Sequence, residues 1–94
     1  MLVLVAYDIS ENKNRNDLIK RLRHFGLHRI QKSLFAGNLK LEERFDLIED
    51  LDMHLSSEKD NIMVMPICVS CKDNITQFSD MPIILPEKHD FEFL

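Results

Sequence analysis

Leu2-Val3-Leu4-Val5-Ala6-Tyr7, followed by Asp8-Ile9-Ser10-Glu11-Asn12-Lys13-Asn14, is the stretch that decides the fold. The apolar run suits a strand that is central or covered on both faces. The polar segment behind it predicts a turn leading into a helix over 14–25. There Leu18, Ile19, Leu22 and Phe25 share one stripe, while Lys20, Arg23 and His24 face away. Asn14 is placed to cap the start, and Gly26 to stop the end. Asp8 to Asn14 contains no glycine. That excludes a dinucleotide or P-loop turn, and with it a doubly wound parallel sheet.

Working outward, 28–36 is mixed apolar and polar and reads as extended chain bent once, enough for two short strands. Gly37-Asn38 is a turn signal. A second helix is predicted over 41–55, where Leu41, Phe45, Ile48, Leu51 and Leu55 share about a third of the circumference as the expected core face. Asp52 lies on the same arc and can reach water near the helix end. After a polar break, 62–69 is a second apolar run, with Pro66 pointing to an edge or a bulge. Phe91-Glu92-Phe93-Leu94 alternates like a half-buried strand. This order predicts a ferredoxin-like α+β sandwich, βαββαβ with an extra C-terminal strand, as one domain over 1–94.

The chain has 94 residues, 45% hydrophobic and 30% charged, which excludes a disordered or low-complexity class. A chain this short buries only roughly 60–65% of its unfolded surface, so an oligomer is a natural way to add burial. The apolar start is too short for a signal-peptide core or a bilayer span, and no later apolar run approaches the roughly 18 residues a span needs. A soluble, cytoplasmic protein with no membrane partner is expected. Cys68 and Cys71 are the only cysteines, so a disulfide framework is not expected. One CxxC pair supplies two zinc ligands and needs two more from a partner or from His; the alternative is a pair of reduced thiols near a strand end.

The formal net charge is −4, but its distribution is uneven. Lys13, Arg15, Lys20, Arg21, Arg23, Arg29 and Lys32 face the single acid Asp17 within 13–32. Glu42, Glu43, Asp46, Glu49, Asp50, Asp52, Glu58 and Asp60 dominate 42–60. Either one surface binds polyanions and the other repels them, or these are two solvated helix faces of opposite sign.

The chemistry is expected at Asp8, which closes the first strand. Counted at 100° per residue, Arg15 falls within the arc of Leu18, Ile19 and Leu22. Its guanidinium is therefore expected over the strand end, close to Asp8. A carboxylate, an arginine and a helix start together compose a phosphate and divalent-metal site; the alternative is a structural Asp8–Arg15 ion pair. One carboxylate binds Mg²⁺ weakly, but an isologous dimer presents it twice. Two such carboxylates about 6 Å apart repel by roughly 3 kcal/mol at an effective dielectric of roughly 20, and a divalent cation between them turns repulsion into binding.

Val5-Ala6-Tyr7-Asp8-Ile9-Ser10, then Arg15, then Gly26-Leu27-His28-Arg29-Ile30-Gln31-Lys32-Ser33-Leu34-Phe35 resemble CRISPR-associated protein 2, the small subunit of the spacer-acquisition machinery. Asp60-Asn61-Ile62 and Cys68-x-x-Cys71 resemble one branch of that family, and the match covers roughly 1–75. The resemblance implies a homodimer whose C-terminal strand, about 90–94 here, packs on the partner's sheet. It implies a metal-dependent endonuclease acting on RNA or DNA, with Asp8 of both protomers as catalytic ligand for Mg²⁺ or Mn²⁺. Tyr7 and Ser10 would shape the site, while Arg15, Arg29 and Phe35 would hold substrate or keep the site intact. Lys13, Lys20, Arg23 and Lys32 extend the basic stretch that would run along phosphates. The family also implies a bridge to the CRISPR integrase subunit (CRISPR-associated protein 1), so a scaffold without catalysis and a toxin-like ribonuclease of the same fold stand as alternatives. Ala36 departs from the pattern, because many relatives carry Glu there.

Overall fold

A computed structural model describes residues 1–80 and Leu85. Its sheet contains β1 (Leu2–Asp8), β2 (His28–Gln31), β3 (Leu34–Asn38) and β4 (Asn61–Ile67). The strand order is β2-β3-β1-β4, and every pairing is antiparallel. β1 is therefore central, as its continuous apolar run predicts. Directly paired residues share a face, so the register separates the two faces. Val3, Val5 and Tyr7 pair with Pro66, Val64 and Ile62 on one side, and Val5 pairs with Phe35 on the other. This face joins Leu18 and Leu22 of α1 (Asn12–His24) and Leu47 and Leu51 of α2 (Leu41–Leu51) in one core. Both helices thus cover the same face, the ferredoxin-like arrangement expected from the element order.

α1 begins two residues earlier than expected. Asn14 is not its cap; Glu11 takes the capping position, with no side-chain bond to the helix. The other end follows the sequence. Gly26 adopts φ 86°. Its N–H donates to the Arg23 carbonyl at 3.0 Å, and the Leu27 N–H donates to the Leu22 carbonyl at 3.0 Å. Those paired bonds with buried Leu22 and Leu27 make a Schellman stop, which turns the chain directly into β2.

Gly37-Asn38 is not a turn; both residues lie inside β3. The glycine is required by a close approach instead. A Cβ on Gly37 would meet Leu27 Cδ2 at 2.8 Å and the Gly26 carbonyl oxygen at 3.1 Å. The hairpin turn lies earlier, at Lys32-Ser33, after a bulge between Arg29 and Gln31.

The second helix spans the expected region, but its last turn tightens to 3-10 geometry over Asp52–His54. Its predicted core face is corrected. Leu41, Phe45 and Ile48 are 58%, 56% and 48% exposed, and Leu55 is 41% exposed. Leu47, which lies off that arc, is fully buried with Leu51. An Arg21 Nε–Asp50 Oδ2 pair at 2.7 Å faces Asp50 toward α1 and is consistent with this rotation.

β4 is an edge strand, so Pro66 costs no ladder bond on its open side. A short helix, α3 (Val69–Asp73), follows at once. The strand expected at Phe91–Leu94 lies outside the described residues.

Candidate nucleic-acid and metal site

Asp8 is the last residue of β1 and is exposed. Strand alternation puts it opposite Tyr7, on the side of Leu4 and Ala6 that the helices leave open. It pairs in register with Asn61. Among the described residues no cation lies within ion-pair distance of its carboxylate.

Arg15 points back over the strand end, as its helical position predicts, but its partners are different. Nη1 donates to the Ile9 carbonyl at 3.0 Å, and Nη2 donates to Asn12 Oδ1. The Asp8–Arg15 ion pair that the sequence allowed is not formed. The reason is local: the Ile9 carbonyl lies within reach of the first turn of α1, while strand alternation puts Asp8 on the opposite side of the sheet from Tyr7. Arg15 thus fixes the turn after the carboxylate and leaves the carboxylate free.

A second device fixes the same turn and was not singled out from sequence. Asp60 Oδ1 accepts the Ser10 N–H at 3.1 Å and the Ser10 hydroxyl at 3.0 Å. Its Oδ2 accepts the Ser56 N–H at 2.9 Å and the Ser56 hydroxyl at 3.0 Å. The backbone bond from Ser56 and then that from Ser10 are the main causes that hold the carboxyl down, to about 2. Asp60 directly precedes Asn61, the register partner of Asp8, so the clamp ties both strand ends together. Ser10, expected to shape the site, has its hydroxyl and N–H engaged in this clamp.

Tyr7, Arg29, Lys32 and Phe35 form a separate cluster behind the sheet. Tyr7 OH donates to the Lys32 carbonyl at 3.0 Å and accepts from Arg29 Nη2 at 3.3 Å. The Arg29 guanidinium carbon lies 5.5 Å from the centre of the Phe35 ring, across the β2–β3 pair. Phe35 is fully buried, so as the fold stands it offers no open face for base stacking. Tyr7 and Phe35 support β1 from the side opposite Asp8.

The remaining basic residues lie on α1. Lys13, Lys20 and Arg23 are exposed and share the helix's outer arc. Arg21, by contrast, is occupied by Asp50 and lies 5.5 Å from the Phe25 ring centre. Ala36 is fully buried, so no acid stands at that point of β3.

As for metal binding, no group of three or more His, Cys, Asp or Glu side chains able to hold an ion occurs among the described residues. At this strand end one chain offers the exposed Asp8 carboxylate, while the neighbouring Asp60 carboxylate is engaged by Ser10 and Ser56. That agrees with a hard, water-rich ion needing only one or two protein carboxylates; for zinc, Cys68 and Cys71 meet no third ligand among the described residues.

The family model for CRISPR associated protein Cas2 matches residues 1–75. The chain belongs to this family. Its span coincides with the stretch carrying the Tyr7-Asp8-Ile9 and Gly26-to-Phe35 patterns. The chain is similar to CRISPR-associated endoribonuclease Cas2 1 of Archaeoglobus fulgidus, at 34% identity over 94 residues and 100% of each chain. It is 41% identical over 66 residues to CRISPR-associated endoribonuclease Cas2 of Korarchaeum cryptofilum, covering 70% of this chain and 71% of that one. Among solved structures, Streptococcus pyogenes Cas2 at pH 6.5 superposes with a TM-score of 0.70 at 21% identity, covering 84% of this chain and 100% of the other. The hypothetical protein TT1823 from Thermus thermophilus gives 0.68 at 28% identity, covering 92% and 96%. No helix among the described residues is long and apolar enough to cross a membrane.

Proposed function

We propose that this chain works as a homodimer that binds nucleic acid along the outer face of α1 and cleaves phosphodiester bonds, using Mg²⁺ or Mn²⁺ held by the Asp8 carboxylates of both copies. The observation that carries this reading is the state of the strand end. Its neighbouring polar groups are satisfied, Ser10 by Asp60 and Arg15 by Ile9 and Asn12, while the Asp8 carboxylate is exposed and unpaired among the described residues. An exposed, unpaired carboxylate on a doubly tethered turn is preorganised for a ligand. The endoribonuclease names of the relatives point the same way.

Dimerisation through the open face of the sheet would bring Asp8 in twice. Ile75 to Gln77 and Leu85 line a groove on the β2–β3 side of that face with Leu4 and Leu34, while half-buried Met65 and Met63 at 53% exposed give the β4 side an apolar surface suited to a second copy. When bound, the ion supplies charge stabilisation at the phosphoryl group and an activated water. Asp8 provides one carboxylate per chain. Arg15 and Asp60 keep that carboxylate in position by holding the turn behind it. Lys13, Lys20 and Arg23 hold phosphates and read no bases.

A second reading is a duplex-DNA bridge to the CRISPR integrase subunit (CRISPR-associated protein 1). It is favoured by the exposed Lys13, Lys20 and Arg23 on α1 and by the neighbouring acid, Asp60, being taken up by Ser10 and Ser56. The experiment is cleavage of end-labelled RNA and duplex DNA in Mg²⁺, Mn²⁺ or EDTA, comparing the protein with Asp8→Asn at matched dimer content. Metal-dependent cleavage that disappears in Asp8→Asn supports the nuclease. No cleavage, or cleavage that survives the substitution, overturns it, and salt-sensitive duplex binding then leaves the bridge.

A further inference from the structure

Cys68 and Cys71 lie apart from the Asp8 site, where β4 gives way to α3. Cys68 is the residue before the helix, and Cys71 lies in its first turn. The Cys68 sulfur accepts the Cys71 N–H at 3.4 Å, which brings its side chain onto the backbone that carries the second thiol. Both residues are exposed, and neither belongs to the core cluster. A one-turn spacing with the first sulfur folded over the second residue's backbone is within reach of an intramolecular disulfide. The two thiols are also unequal. Hydrogen bonds from the Cys71 backbone and side chain push the Cys68 thiol down, whereas the bond to Cys68 pushes the Cys71 thiol up. The thiolate is the nucleophile, so Cys68 is the attacking group and Cys71 the resolving one.

We propose that Cys68 and Cys71 form a reactive dithiol that is reversibly oxidised to a Cys68–Cys71 disulfide by low-molecular-weight disulfides. The Cys68 thiolate attacks one sulfur of the small disulfide. A mixed disulfide forms at Cys68, and the other half leaves as a thiolate that takes up a proton. Cys71 then loses its proton and attacks the Cys68 sulfur, expelling the second small thiol. The protein gives up two electrons and two hydrogens, and one small disulfide is reduced to two thiols. The second step is intramolecular, so it outpaces capture by external thiol and the mixed disulfide does not accumulate. A pair that opens and closes in this way is compatible with a reducing compartment, where a fixed structural disulfide is not.

The test treats the reduced full-length protein with oxidised glutathione and follows free thiols and intact mass. The wild type should lose both thiols and two hydrogens per chain, stay uncrosslinked between chains, and recover on reduction. Cys71→Ser should stop at a glutathione adduct on Cys68, and Cys68→Ser should react more slowly than Cys71→Ser, which keeps the sulfur that accepts the residue-71 N–H. Stable adducts on both cysteines of the wild type, crosslinks between chains, or equal rates for the two variants would each overturn the proposal.

Discussion

Gly37→Ala puts the packing between the α1 stop and β3 under direct stress. The new Cβ would stand 2.8 Å from Leu27 Cδ2, closer than such atoms are found, and 3.1 Å from both the Gly26 carbonyl oxygen and Leu27 Cα. Leu27 is only 1% exposed and has little room to swing aside. The backbone at Gly26 and Leu27 is itself held by bonds to Arg23 and Leu22 at 3.0 Å each. Overpacking of this kind costs about 1–3 kcal/mol, offset by about 0.4–1 kcal/mol from the lower entropy of the unfolded alanine chain. A net loss of about 1–2 kcal/mol is expected, equivalent to a fall of about 4–16 °C in Tm for a domain this size. Urea unfolding with the slope held constant measures it. Adding Leu27→Ala should cost less than the sum of the two single changes, because Cδ2 is gone. Gly26→Ala is the contrast: φ is 86° and nothing lies within 4 Å of the added Cβ, so its cost of about 1–2 kcal/mol is purely backbone. A Gly37→Ala protein as stable as the parent, or strict additivity with Leu27→Ala, would refute the packing argument.

Three further outcomes follow from the site. The folded Asp60 carboxyl titrates at about 2, below its ordinary 3.8, so its stabilisation is fully present above about pH 4 and is lost as pH falls toward 2. Asp60→Asn should flatten that acid limb in denaturation curves, because an amide nitrogen cannot accept the second pair of donors. Tyr7→Phe removes a hydroxyl shared by the Lys32 carbonyl and Arg29, but water can reach both partners, so a loss of about 1 kcal/mol is expected by urea unfolding, not the larger cost of a buried orphan. Replacing Lys13, Lys20 and Arg23 together by Ala should lower the slope of log affinity against log salt for duplex DNA by about 0.9 for each lost phosphate contact, with little change in stability.

Much of the fold was legible because local patterns and tertiary demands agreed. The central strand, the α1 stripe, the Gly26 stop and the edge position implied by Pro66 all reflect rules that operate over a few residues. The orientation of α2 was not legible in this way. Its apolar residues cover more than one face, and a hydrophobic arc read alone favours Leu41, Phe45, Ile48, Leu51 and Leu55. Packing keeps Leu51 of these and adds Leu47 from outside the arc. Gly37 illustrates the opposite limit: a turn and a close approach both demand glycine, and only the fold separates them. At the site, the direction of Arg15 followed from helix geometry, but its choice of the Ile9 carbonyl over Asp8 depended on which side of the sheet each group faced. Asp60 joins segments far apart in the chain, and no spacing rule reveals such a clamp.

The central claim is that two Asp8 carboxylates hold one divalent ion, and Mn²⁺ titration followed by electron paramagnetic resonance tests it most directly. The tightest class of sites should saturate at one ion per two chains in the wild type and vanish in Asp8→Asn, with dimer content unchanged. A tight site that persists in Asp8→Asn, or one ion per chain, would contradict the account.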